Sequence, residues 1–263
     1  MRSNPVEYLT IVNPRKSLTA KIGDGFIAAI DFAIENPALV GFGILGAGGI
    51  SYILYRFINY GTVFGGRGKI SFNDFEYTVT ADDRLWMGRM LIGETGESGW
   101  DSRDPAEQEA KRQAGVAVLY SVAERFASNP SLRSNTGNTF TGVMRAFSQP
   151  INPIWSSLSA CSNGRGCCGS EGTMCTPAHL SRRQRIQSKS WNALPEGVRS
   201  LVDDFIAGRV TNPIPGYNDF AAATHISQSA LNSSVVTPIN IGGNMFIKRP
   251  ASQGFQQGTL RIV

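Results

Sequence analysis

Apolar residues recur with a helical period in four stretches of the chain. After Asp82 and Asp83, either of which can cap a helix, Leu85, Met87, Met90 and Leu91 point mostly inward from a segment spanning Arg84 to Ile92. Pro105-Ala106-Glu107 opens a longer helix, predicted over Pro105 to Ala127, with Val116, Val118, Leu119, Val122 and Phe126 as its apolar series. Thr139 to Phe147 reads as a third, shorter helix that carries Phe140, Val143, Met144 and Phe147 on one face. A fourth, about Pro195 to Ala207, is marked by Val198, Leu201, Val202 and Phe205 and ended by Gly208. Strand-like alternation is short. It occurs at Phe72 to Val79, inside a linker of residues 61–83, and the late run Ile239, Ile241, Met245 and Phe246 reads as extended. The expected fold class is mainly α (α+β): a helical domain over 84–250 with a short extended C-terminal segment, then a tail, 251–263.

A second pattern precedes this domain. Between Glu35 and Arg56 the chain carries no charge. Crossing a bilayer as a helix takes about 20 apolar residues, so residues 36–55, within an apolar segment taken as 36–60, are just long enough to span. Tyr52, Tyr55 and Tyr60 gather at one end beside Arg56, as interfacial anchors do, and Gly43, Ala47 and Ser51 form a small-residue stripe. The expectation is a transmembrane helix or, failing that, a glycine-rich buried segment of an assembly. Gly41-Phe42-Gly43-Ile44-Leu45-Gly46 matches a dinucleotide-binding pattern formally, but no acidic residue follows at the ribose-binding distance. The N-terminal segment, 1–35, has charges and prolines but no early apolar core, so no signal peptide is expected.

Composition changes this picture little. The 29 glycines and 13 prolines among 263 residues favour long connections. A net charge of +5 and a pI near 9.2 favour anionic surroundings such as phospholipid or acidic wall polymers. The basic residues are dispersed apart from Arg182, Arg183 and Arg185, which singles out no nucleic acid.

Candidate chemistry begins at the end of the first predicted helix. Glu94 and Glu97 share one side if the helix continues and stand at the mouth of a turn if it stops. Glycosidic cleavage needs a protonated carboxyl beside the leaving oxygen, its pKa raised by a partly apolar wall. Met90, Leu91, Ile92 and Trp100 are candidates for that wall. Asp101 and Asp104 are alternative second carboxylates, and each also fits a cap or turn. Ser148, Gln149 and Asn152 sit in a proline-framed turn, suited either to N-acetyl and hydroxyl groups of a sugar or to local backbone bonds. Trp155 and Trp191 fit either sugar stacking or a core role.

Ile92-Gly93-Glu94-Thr95-Gly96-Glu97, followed by Ala114-Gly115-Val116-Ala117-Val118-Leu119-Tyr120-Ser121-Val122-Ala123-Glu124-Arg125, resembles the SleB-type cell-wall hydrolases. In that family a Tyr-Gly-Glu-Ala-Arg-Gly-Glu motif precedes a helix resembling Val-Ala-Val-Ala-x-Val-x-Leu-Asn-Arg. Asn240-Ile241-Gly242-Gly243-Asn244-Met245-Phe246 resembles the family's closing strand, and Ala146 to Pro153 resembles phage-encoded versions. The resemblance covers about Arg84 to Lys248. It implies a lysozyme-like fold acting on peptidoglycan glycan strands as a muramidase or lytic transglycosylase. Glu94 would be the general acid, Glu97 a second carboxylate that positions water, substrate or Glu94, and Asn244 a substrate contact. No cofactor or metal is implied. The sequence departs from the pattern at Ile92, in place of tyrosine, and in a glutamate spacing one residue short. Residues 98–113 are inserted, and Met245 stands where histidine is usual.

Cys161, Cys167, Cys168 and Cys175 lie in a predicted loop, 156–177, and leave three readings open: two disulfides, a structural zinc site with His179, or free thiols. Two histidines, His179 and His225, leave too few ligands for a zinc amidase and few bases for a cysteine peptidase. An apolar segment before a wall-cutting domain suits a phage virion protein acting in the host envelope, with other virion proteins as partners. It suits equally a membrane-anchored bacterial enzyme. The rival class is a non-catalytic virion structural or pilot protein with a wall-binding module.

Overall fold

The computed structural model describes residues 68–152 and 177–263, with Gln149 and residues 177–180 described in their backbone alone. The predicted transmembrane segment, the four cysteines and Trp155 lie outside the described residues. The chain divides into two compact units, Gly66–Lys189 with Leu194–Val263, and Met1–Gly65 with Ser190–Ala193. In the latter, the described residues form a 3-10 turn, Trp191–Ala193, whose Trp191 is buried.

The larger unit mixes helix and sheet. Its elements run β1 (Lys69–Phe72), β2 (Phe75–Thr78), α1 (Ala81–Thr95), α2 (Pro105–Ser128), α3 (Pro130–Asn135), α4 (Phe140–Phe147), α5 (Pro177–Ser188), α6 (Glu196–Ile206), β3 (Asp219–Ala222), α7 (Gln228–Asn232), β4 (Ile239–Ile241), β5 (Asn244–Ile247) and β6 (Leu260–Ile262). The four predicted helices correspond to α1, α2, α4 and α6. Sheet is more extensive than the sequence pattern implies. Two three-stranded antiparallel sheets form, in the orders β2-β1-β6 and β3-β5-β4. The segment expected as linker supplies a hairpin whose Ile70 and Phe72 are buried, and the expected tail supplies β6, pairing Ile70 with Ile262.

α1 is the central helix. Thr80 and Asp83 form a reciprocal capping box at its start, which satisfies two otherwise orphaned backbone donors. The Asp83 carboxylate, 1% exposed, also accepts from Tyr77 Oη at 2.8 Å and from the Thr141 amide and hydroxyl at 2.7 Å each. One buried anion thereby joins β2, α1 and α4. Every residue from Asp83 to Gly93 is buried, so α1 has no solvent face over that span. Its two arginines are matched rather than exposed. Arg84 donates two bonds of 2.7 Å to Asp203 on α6, and Arg89 donates to the Lys189 carbonyl. α2, α4 and α6 pack around α1, with Leu119, Phe126, Phe140, Leu201 and Phe205 fully buried. Each such side chain contributes about 1.5–3 kcal/mol by leaving water.

The end of α1 sets up the site. Gly96 at φ +84° turns the chain out of the helix. α1 has no basic residue in its last turn, and its terminal carbonyls are served from elsewhere. Lys111 donates to Thr95 O, Trp100 Nε1 to Gly96 O at 3.1 Å, and Arg182 to Gly93 O at 3.1 Å.

Candidate functional site

Glu94 stands in the last turn of α1, on a groove of about 390 Å³. α4 ends at Ser148, whose Oγ donates to Glu94 Oε1 at 2.5 Å. Ser148 is itself buried, at 2% exposure. The 3-10 turn Gln149–Ile151 then crosses α1 so closely that a Cβ on Gly93 would lie 2.5 Å from Pro150 Cβ, which explains glycine at that position. Across the groove lie Phe220, Ala221 and Ala222 of β3 and Asn244 of β5, and α5 contributes Arg182 and Arg183. The apolar wall is therefore Phe147, Pro150 and Phe220. Met90, Leu91 and Ile92, candidates for it, are in the core instead, because α1 is buried on all sides there, and Trp100 is buried beyond the helix end.

Burial pushes the Glu94 carboxyl above its usual range, opposed by the Ser148 hydrogen bond and the charge of Arg182. Glu94 is nonetheless only half-buried as a residue, so it stays in reach of a bound ligand. Among the described residues lining the groove, it is the single carboxylate.

The second glutamate is elsewhere. After the turn at Gly96, Glu97 faces the far end of α5, with Arg185 and Lys189 each 3.7 Å from a carboxylate oxygen. It does not line the groove, and its Oε1 is buried without a hydrogen bond. Asp104 caps α2, accepting from Ala106 N at 2.9 Å. Asp101 caps α6 from a distance, accepting from the Glu196 and Gly197 amides at 3.1 and 2.8 Å.

The other expected contacts divide. Asn244 opens β5 between Ala222 and Ile241, is 4% exposed, and its side-chain amide makes no hydrogen bond among the described residues. Its bonding capacity is open to the groove. Asn152 instead braces its own turn, donating to Ala146 O at 3.3 Å, while Gln187 donates to the carbonyls of Pro150 and Asn152. Gln149 belongs to the 3-10 turn.

Several groove residues carried no sequence signal for this role. Phe147, read as a helix-face residue, is 42% exposed, and the Arg125 guanidinium lies 4.5 Å from its ring centroid. Arg125 also donates to Asn218 O at 2.8 Å and pairs with Asp219, so one buried cation holds β3 and the ring of Phe147 together. Phe220 packs against Phe246 with ring centroids 5.5 Å apart. His225 completes the rim. The arginine cluster in α5 was visible as a charge run, but only folding brings Arg182 to Glu94. Compared with models of known protein families, with curated proteins and with solved structures, the chain finds no match.

Proposed function

We propose that the chain cleaves the glycan strands of peptidoglycan, with Glu94 donating the proton to the leaving glycosidic oxygen. The observation that carries this reading is the Glu94 carboxyl itself: raised in pKa by burial, held by Ser148, and open to a groove with aromatic walls. A carboxyl whose pKa lies above its usual range is what a general acid requires. Phe147 and Phe220 offer faces for sugar rings, and Asn244 offers a free amide for an N-acetyl or hydroxyl group. Arg182 supplies positive charge that stabilises the carboxylate left after proton transfer, and with Arg183 it favours an anionic polymer. The resemblance to SleB-type hydrolases points to the same residue.

A lone acid favours transglycosylation. Inverting hydrolysis needs a second carboxylate to activate water, and retaining hydrolysis needs one as nucleophile. With Glu97 turned away, the substrate's own hydroxyl is the attacking group, and the Glu94 carboxylate left by the first transfer takes that hydroxyl's proton as the new C–O bond forms, which restores the acid. Glu97 then serves as a positioning residue, anchoring the end of the helix that carries Arg182. A phage virion is the setting the sequence favours, through its apolar segment and the Ala146 to Pro153 resemblance.

Incubation of the full chain with purified peptidoglycan, followed by mass spectrometry of soluble products, tests the reaction type. Muropeptides one water lighter than the hydrolysed form support transglycosylation. Reducing ends alone contradict it and require a second carboxylate. A folded chain that binds the wall without releasing sugar would support the virion structural reading.

A further inference from the structure

A second cavity, of about 590 Å³, lies between α2, the end of β5 and the C-terminal segment after it. Glu124 and Lys248 line it together with Asn218, Val235, Val236 and Phe255. Glu124 is only 5% exposed, yet among the described residues its carboxyl oxygens accept no hydrogen bond. Lys248 influences it through space, but no ion pair within 4.0 Å joins them. The lysine is held back by its surroundings. Its amide donates to Ser234 Oγ at 3.2 Å and its carbonyl accepts from Val235 N at 2.9 Å, fixing its backbone. Its Nζ lies over Gly216, where a Cβ would stand 3.0 Å away. The remaining cation of the wall, Arg249, is already committed to Asp219 at 2.7 Å and Ser233 at 2.6 Å. Among the described residues the cavity therefore presents one carboxyl and one ammonium, opposite in sign and unjoined, with apolar side chains and the amides of Asn218, Gln256 and Gln257 around them.

An unpartnered buried carboxyl is costly, and the cost is relieved by a ligand that brings its own donor or cation. The same ligand must place an acceptor or anion toward Lys248. We infer that this cavity binds a zwitterion of the amino-acid type, a short peptide whose ammonium pairs with Glu124 and whose carboxylate pairs with Lys248. Val235, Val236 and Phe255 suit small apolar side chains. This site uses no residue of the Glu94 groove and stands whether or not the chain cleaves glycans.

The test is calorimetric titration of the full chain with dialanine, N-acetyl-dialanine and dialanine amide, which carry both charges, only the carboxylate, and only the ammonium. Dialanine binds at least about tenfold more tightly than either blocked form, each lost pairing being worth roughly one decade. Glu124→Gln removes the preference for the free amine, and Lys248→Met removes the preference for the free carboxylate. Both variants stay folded by circular dichroism, since neither breaks an existing bond. Equal affinity for the three probes, or no heat up to about 10 mM, overturns the proposal.

Discussion

Ser148→Ala separates a catalytic Glu94 from a merely buried one. The Ser148 hydroxyl donates to Glu94 Oε1 at 2.5 Å, and this bond pulls the carboxyl's pKa down against the upward push of burial. A hydrogen bond to a charged group contributes about 1.5–3 kcal/mol, and one pKa unit corresponds to about 1.4 kcal/mol. Water entering from the open side of the groove replaces part of the lost bond, so the expected rise is about one unit. A general acid must be protonated, so kcat/KM falls as pH rises through the Glu94 pKa. In Ser148→Ala that falling limb moves to higher pH by about one unit, while the acidic plateau changes by less than about tenfold. Release of soluble muropeptides from peptidoglycan, followed between about pH 4 and 9, reads the limb directly. A limb that stays in place, or moves to lower pH, refutes the assignment of Glu94 as the titrating acid.

Other consequences concern stability as well as the site. Burial raises Glu124 from 4.5 to about 7, with Lys248 the one charge opposing it. The folded chain holds that proton longer than the unfolded chain, so the associated stability is full below 4.5 and is lost as pH rises through about 7. Glu124→Gln should match wild type in urea denaturation at acidic pH and exceed it by up to about 3 kcal/mol well above neutrality. Asp83→Ala leaves the donors of Tyr77, Thr80 and Thr141 without their acceptor, and thermal unfolding should show a loss of about 3–5 kcal/mol. Gly93→Ala drives a methyl into Pro150, and should cost about 1–3 kcal/mol while weakening glycan release through a displaced Ser148 turn.

The helices were legible because periodicity and caps are local. The third helix begins one residue later than its periodicity suggests, with Thr139 as its cap, and Asp104 fixes the start of α2 ahead of Pro105. α1 was legible in position but not in character. Its charged residues Asp83, Arg84 and Arg89 look like a solvated face, and only distant partners in α4, α6 and at Lys189 show them to be interior. Strand pairing was the least legible, since Ile70 meets Ile262 from the opposite end of the chain. The glutamate pair divides on a single backbone angle. An α-helix continued through Gly96 would put Glu97 near Glu94, but a positive φ at Gly96 sends it toward Lys189 and Arg185. Conversely, Asn244 was reachable from the resemblance, whereas Arg182, Phe147 and Phe220 meet Glu94 only through tertiary packing.

The role proposed for Glu94, supplying the proton for glycan cleavage, can be tested by substitution. Wild type, Glu94→Gln and Glu97→Gln, each shown folded by circular dichroism, should be compared on the same insoluble peptidoglycan at a pH below the falling limb. Wild type should release sugar, with a loss of at least about a thousandfold in Glu94→Gln and a far smaller loss in Glu97→Gln. Undiminished release by Glu94→Gln contradicts that role.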